Sequence, residues 1–318
     1  MKKFVAVAVA VAVAVAAVAA AALLWAAPAA ADTCALTPAG SLALTALPGG
    51  EIAVPVTING GSHAMLLDLA VSDSAVSDAL ASKLYMYRDT FPHRALVAYR
   101  GGAVAGTVTV GKLQLGAMSA DQFTALLLVP GTPLPPDVSG VLGLGLLKNS
   151  DLEIDFAGGK VNLFSPQHCP GAVVYWSDTA AVVPFEIDEQ QRLVFQMELD
   201  GKPVSVSFGE AGRMSLGAFR RVFGAKEPLG TANGNDAQGS VLYDHPFQTL
   251  SVGGITLRNP AIRLVDDTKT SPCRLSQKPL ECFGRADVEI GLAQLKALHL
   301  YFAFGEKKLY ATAAGAHK

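Results

Sequence analysis

Charge is scarce in this chain. Only 16% of its 318 residues are Asp, Glu, Lys or Arg, and the formal net charge is −2. Nothing in that balance attracts nucleic acid or an anionic membrane surface. The six histidines include no pair at metal-ligand spacing, and the four cysteines include no CxxC. His168 beside Cys169 is an isolated pair, so neither a metal site nor a cofactor site is expected. The run Gly140-Val141-Leu142-Gly143-Leu144-Gly145 has its glycines in the wrong order for a dinucleotide-binding turn, and no βαβ unit follows. Ser72 and Ser74 lack the glycine pattern of a nucleophile elbow.

What the chain does have is apolar residues (51%), 31 glycines and 18 prolines. The length suits two domains of ordinary size, and the turn-rich composition suits an all-β fold. Part of the apolar content reads as a targeting segment. Lys2-Lys3 precede an Ala/Val run over residues 4–24, and Ala29-Ala30-Ala31 form a small-residue cleavage site. Residues 1–31 are therefore expected to be a cleaved signal peptide, which places the mature protein in the periplasm or outside the cell, without a membrane anchor. In such a compartment Cys34, Cys169, Cys273 and Cys282 are expected to form two disulfides, with three pairings open.

The remainder reads as an approximate duplication. Ile52-Ala53-Val54-Pro55-Val56-Thr57-Ile58 turns at Asn59-Gly60 into an apolar strand ending at Asp68. Leu193-Val194-Phe195-Gln196-Met197-Glu198-Leu199 turns at Asp200-Gly201 into Val204-Ser205-Val206-Ser207-Phe208. Each hairpin runs into a short amphipathic helix, over residues 77–84 and 216–223, and then into a Gly-rich strand region. Each half closes alike: Val141-Leu142-Gly143 and Glu289-Ile290-Gly291 each precede a helical turn and a final hairpin.

This ordered series resembles pepsin-like and retropepsin-like aspartic peptidases. The similarity is greatest to exported bacterial proteins with two retropepsin-like lobes in one chain, in which a Cys near the mature N-terminus and another at the lobe junction precede a Tyr-Trp pair. Here these are Cys34, Cys169 and Tyr175-Trp176. The resemblance implies a mainly β fold of two β-barrel lobes with short helices and a cleft between them. It divides the chain into residues 32–169 as one lobe, 170–183 as the junction and 184–318 as the second lobe.

The family's chemistry uses two aspartates that face each other and share a proton. Asp68 stands at the first such position, but in the triplet Asp68-Leu69-Ala70. Leu69 has no hydroxyl, and Ala70 adds a Cβ where Gly allows close approach. The second position falls at Gly209 counting from the hairpin turn, which matches Ser215 to Ser74, or at Ser207 counting back from the helix. Neither supplies an Asp, and the nearby Glu210 lies one residue off that face. A single carboxylate cannot be base and acid at once, so weak or absent peptidase activity is expected. Tyr99, Gly101 and Gly102 fall in the presumed flap. Asp151, Glu153 and Asp155 alternate along one strand and are expected to form a solvated face. The expected partner is an extended peptide or protein segment in the cleft, the rival expectation being a surviving peptidase. The oligomeric state is not encoded in any pattern here.

Overall fold

The structure, a computed structural model, describes residues 35–91, 97–99, 102–132, 134–236, 239–266 and 286–316. The expected signal peptide, Cys34, Gly101, Cys273 and Cys282 lie outside the described residues, and no described cysteine is free. Residues 36–318 form one compact unit, and strands dominate it. Its described helices are short: Asp78–Lys83, Leu144–Leu147, Leu216–Phe223 and a 3₁₀ turn at Leu292–Leu295.

The two opening hairpins form as their turn residues dictate. Asn59-Gly60 and Asp200-Gly201 each place two successive residues at positive φ, 48° and 85° in one turn and 47° and 70° in the other. That is the type I′ geometry whose twist suits a two-residue hairpin, and it selects Asn-Gly and Asp-Gly. The flanking strands alternate as a half-buried sheet should. Ile52, Val54, Val56 and Ile58 point into the core of one half, and Leu193, Phe195, Met197 and Leu199 into that of the other.

The return strands set the central register. Gly61–Asp68 runs parallel to Val138–Gly143, with Leu66 opposite Val141, Leu67 opposite Leu142 and Asp68 opposite Gly143. Lys202–Phe208 runs parallel to Val288–Ile290, with Ser207 opposite Glu289 and Phe208 opposite Ile290. Gly209 N donates to Ile290 O at 2.9 Å and extends this ladder by one step. Each half then caps its helix with a serine. Ser77 Oγ accepts from Leu80 N at 3.2 Å, and Ser215 Oγ accepts from Ala218 N at 3.1 Å.

These caps correct one sequence match. Ser215 corresponds to Ser77, not to Ser74, because both serines end the short strand that leads into the helix. The buried hydroxyl of Ser74 instead accepts from Gly143 N at 3.0 Å. Between Asp68 and the next strand lie residues 69–74, but between its ladder counterpart Gly209 and the next strand lie only 210–212. That shortening makes counting along the chain misleading.

The halves join through six strands in the order Pro38–Ala43, Lys160–Phe164, Asp151–Asp155, Leu298–Ala303, Lys308–Ala313 and Ala181–Ile187. The order is symmetric about its centre, where Leu152 faces Phe302 and Asp155 faces His299. This overturns the expected solvated face. Asp151 and Glu153 are 0% and 1% exposed. Their strand lies between two others, and an aromatic cluster including Phe164, Trp176, Tyr301 and Tyr310 packs at this joint.

Candidate functional site

A pocket of about 30 Å³ opens at the ends of the two return strands. Its walls are Leu66, Leu67, Asp68 and Leu69 from the first half, Phe208, Gly209 and Glu210 from the second, Gly50, Glu51 and Ile52, and Leu292. A volume of that order holds a few waters. The fold thus brings Asp68 to the same cavity as Gly209 and Glu210. Ser207 does not line it. That residue is buried two residues deeper on the same face, and its Oγ finds no hydrogen-bond partner among the described residues.

Asp68 is half-buried at its strand end. Its Oδ1 accepts from Ala70 N at 2.8 Å, an Asx turn that aims the carboxylate with backbone instead of a neighbouring hydroxyl. Leu69, 1% exposed, packs in the main core. The triplet therefore keeps the tight turn and gives its middle side chain to packing. Close approach explains the glycine opposite: a Cβ on Gly143 would lie 2.6 Å from both Asp73 C and Ser72 O. The same holds where the halves meet at the pocket rim. Gly50 has φ +88°, and a Cβ there would lie 2.4 Å from the Ala293 Cβ.

Tyr99 ends the short strand Val97–Tyr99, which pairs with Gly102–Leu115. Tyr99 packs against the small core cluster that includes Leu66 and Val104, and its hydroxyl donates to Asp73 O at 2.7 Å. Tyr99 is thereby tied to the loop that follows Asp68. Gly102 is the first residue of the long strand.

Residues 54–146 match the aspartyl protease family model. The crystal structure of an aspartic proteinase from Irpex lacteus aligns with TM-score 0.50 at 12% identity, over 87% of this chain and 98% of that one. Basic 7S globulin from soybean aligns with TM-score 0.50 at 12% identity, over 89% of this chain and all of that one (100%).

The fold is that of a two-lobed, pepsin-like protein.

Identity this low speaks of fold alone, and no curated protein matches the sequence. Within the pepsin-like fold, residues 54–146 span the strand that carries Asp68 and the strand that carries Gly143.

Sequence reading passed over two acids near this pocket. Glu51 lies just before its strand, where no pattern marks it. Glu289 lies in the strand beside Gly209 and ion-pairs with Arg213, with Nη2 to Oε2 at 2.6 Å. Its signal was available, since a glutamate there interrupts an otherwise apolar strand.

The six-stranded joint of the pepsin-like fold carries a second set of polar groups. His168 Nε2 lies 2.5 Å from Asp151 Oδ2, and Phe304 N donates to Asp151 Oδ1 at 3.0 Å. His299 Nε2 lies 2.7 Å from Glu153 Oε1, and Trp176 stacks on the His299 ring at 4.0 Å. Burial raises Asp151 above the usual carboxylate range, against the pull of His168. Burial lowers His168, but the Cys169 carbonyl and Asp151 outweigh it and leave the ring above its ordinary value. No group of three or more acids, histidines or cysteines suited to a metal occurs among the described residues.

Proposed function

We propose that this is an exported pepsin-like protein whose aspartic-peptidase chemistry is impaired, and that it holds an extended peptide or protein segment in the cleft between its lobes. One observation carries the reading. At the ladder step where the first lobe presents Asp68, the second presents Gly209. Hydrolysis by this fold needs one carboxylate to take a proton from water while another gives one to the amide, and a glycine can do neither. Binding needs no such pair, because an extended segment can gain affinity from backbone pairing along cleft and flap strands. Export to the periplasm or beyond, with two disulfides among Cys34, Cys169, Cys273 and Cys282, belongs to the same proposal.

A second reading has one observation in its favour. Glu51 and Glu210 line the pocket that Asp68 lines, so either could partner it in a surviving peptidase. Incubation with unfolded protein between about pH 3 and 7, the range in which carboxylate pairs work, separates the two. The mature chain and Asp68→Asn are compared with and without a transition-state-type inhibitor. No inhibitor-sensitive cleavage is the expected result, together with a peptide-library ligand whose binding Asp68→Asn weakens. Cleavage that the inhibitor and the substitution both abolish would establish the peptidase instead.

A further inference from the structure

We propose that the Arg213–Glu289 ion pair occupies the place a second-lobe carboxylate would need, so that the missing aspartate cannot simply be restored by substitution at Gly209. The inference rests on reading the pocket as a former two-carboxylate site.

The backbone is not what keeps residue 209 a glycine. Its φ is not positive, so an L side chain meets no strain there. The obstacle is Glu289. A Cβ on Gly209 would lie 2.9 Å from Glu289 Cβ, 3.2 Å from Oε2 and 3.6 Å from Cδ. The Glu289 carboxylate thus fills the space into which a side chain at 209 would grow. The first lobe shows the contrast. The ladder position of Glu289, opposite the residue two before Gly209, is held there by Val141, opposite the residue two before Asp68. Val141 is apolar and 0% exposed, and it leaves room for the Asp68 carboxylate to face the pocket.

Glu289 is also held in place. Arg213 lies directly opposite it on the neighbouring antiparallel strand, as Ala75 lies opposite Val141. Its Nη2 and Nε donate to Glu289 Oε2 at 2.6 and 3.2 Å. Burial lowers the guanidinium, but Glu289 first, then Glu210 and Asp236, outweigh it and hold it above its ordinary value. Two charge-assisted hydrogen bonds onto one oxygen hold the Glu289 carboxylate where it stands. Two differences beyond the motif, Glu in place of Val and Arg in place of a small residue, thus make the second lobe's half of the floor a fixed ion pair.

A double-mutant cycle in the purified mature chain tests this through denaturant unfolding. Gly209→Asp alone should lower the folding equilibrium constant at least tenfold, since it adds bulk and like charge beside Glu289. In a Glu289→Ala background the same substitution should cost at least tenfold less. Equal costs in the two backgrounds, within twofold, would overturn the proposal. If Gly209→Asp leaves no folded protein, the cycle of Gly209→Ala with Glu289→Gly, which tests the Cβ contact alone, decides by the same criterion. The readout is stability, so wild-type peptidase activity would overturn the functional reading while leaving this coupling intact.

Discussion

His168 Nε2 and Asp151 Oδ2 lie 2.5 Å apart, with 2% and 0% of their side chains exposed, where the loop after Lys160–Phe164 meets the sheet that joins the lobes. The groups around them are themselves polar. Tyr301 donates to Asp151 at 3.3 Å, and Glu306 faces the other His168 nitrogen at 3.9 Å while accepting from Tyr310 and Lys308. A buried pair of this kind ties stability to pH.

The sign follows from the shifts. His168 is raised above 6.5, so its contribution is complete below that value and fades as pH climbs through the higher folded pKa. Asp151, raised above 3.8, acts in the same direction. Asp287 and Glu306 are lowered by their hydrogen bonds against the opposing effect of burial, so their contributions fade as pH falls below 3.8 and 4.5. Thermal unfolding followed from acid to alkaline pH should therefore show a maximum in the weakly acid range. Asp151→Asn with His168→Gln should flatten the alkaline limb and leave the acid limb in place.

Glu153 accepts from Tyr175 at 3.0 and 2.9 Å, from Asn162 at 2.7 Å and faces His299 at 2.7 Å. Glu153→Leu leaves the buried His299 without its acceptor and removes that of Asn162 and Tyr175, and it should cost about 3–5 kcal/mol. Glu153→Gln keeps one acceptor oxygen and should cost about 1–2 kcal/mol. Equal losses in denaturant titration would show that the charge, not the bonding, matters.

Glycine spacing makes a paired prediction. Gly143→Ala drives a methyl into Ser72 and Asp73 behind the candidate site and should destabilise by about 1–3 kcal/mol. Gly217→Ala, in a helix with only Ser215 Oγ at 3.9 Å, should be neutral or stabilise by up to about 1 kcal/mol. Urea midpoints of the two variants should move in opposite directions, or only the first should move.

The two helix caps should behave as equivalents. Ser77→Ala and Ser215→Ala should each cost about 1 kcal/mol, and the double variant should lose their sum, because the caps belong to different halves. Ser74→Ala removes the acceptor of a buried Gly143 N–H and should cost about 1–3 kcal/mol. A Ser74 variant as mild as an exposed-surface change would contradict the role assigned to that hydroxyl.

Much of this architecture is readable without coordinates, and for local reasons. Asn59-Gly60 and Asp200-Gly201 select one turn type, and the alternation around them selects one buried face, so both hairpins can be located along the chain. The duplication follows from order alone. Matching Ser215 to Ser74 fails because a three-residue shortening inside a loop leaves no periodic trace. Asp151 and Glu153 defeat the same kind of reading because alternating acids on a strand look the same whether their face meets water or a stacked tryptophan.

From composition and pattern alone came a two-part β chain with a single aspartate at one strand end and none at the other, since turns, alternation and residue identity are properties of short segments. Which residue stands opposite that aspartate's counterpart, which acids share its cavity and which carboxylates lie buried with histidine were decided by the tertiary structure. Those relationships depend on strand register and lobe contact between residues as far apart as Gly50 and Ala293, and no local rule carries distance across such a gap.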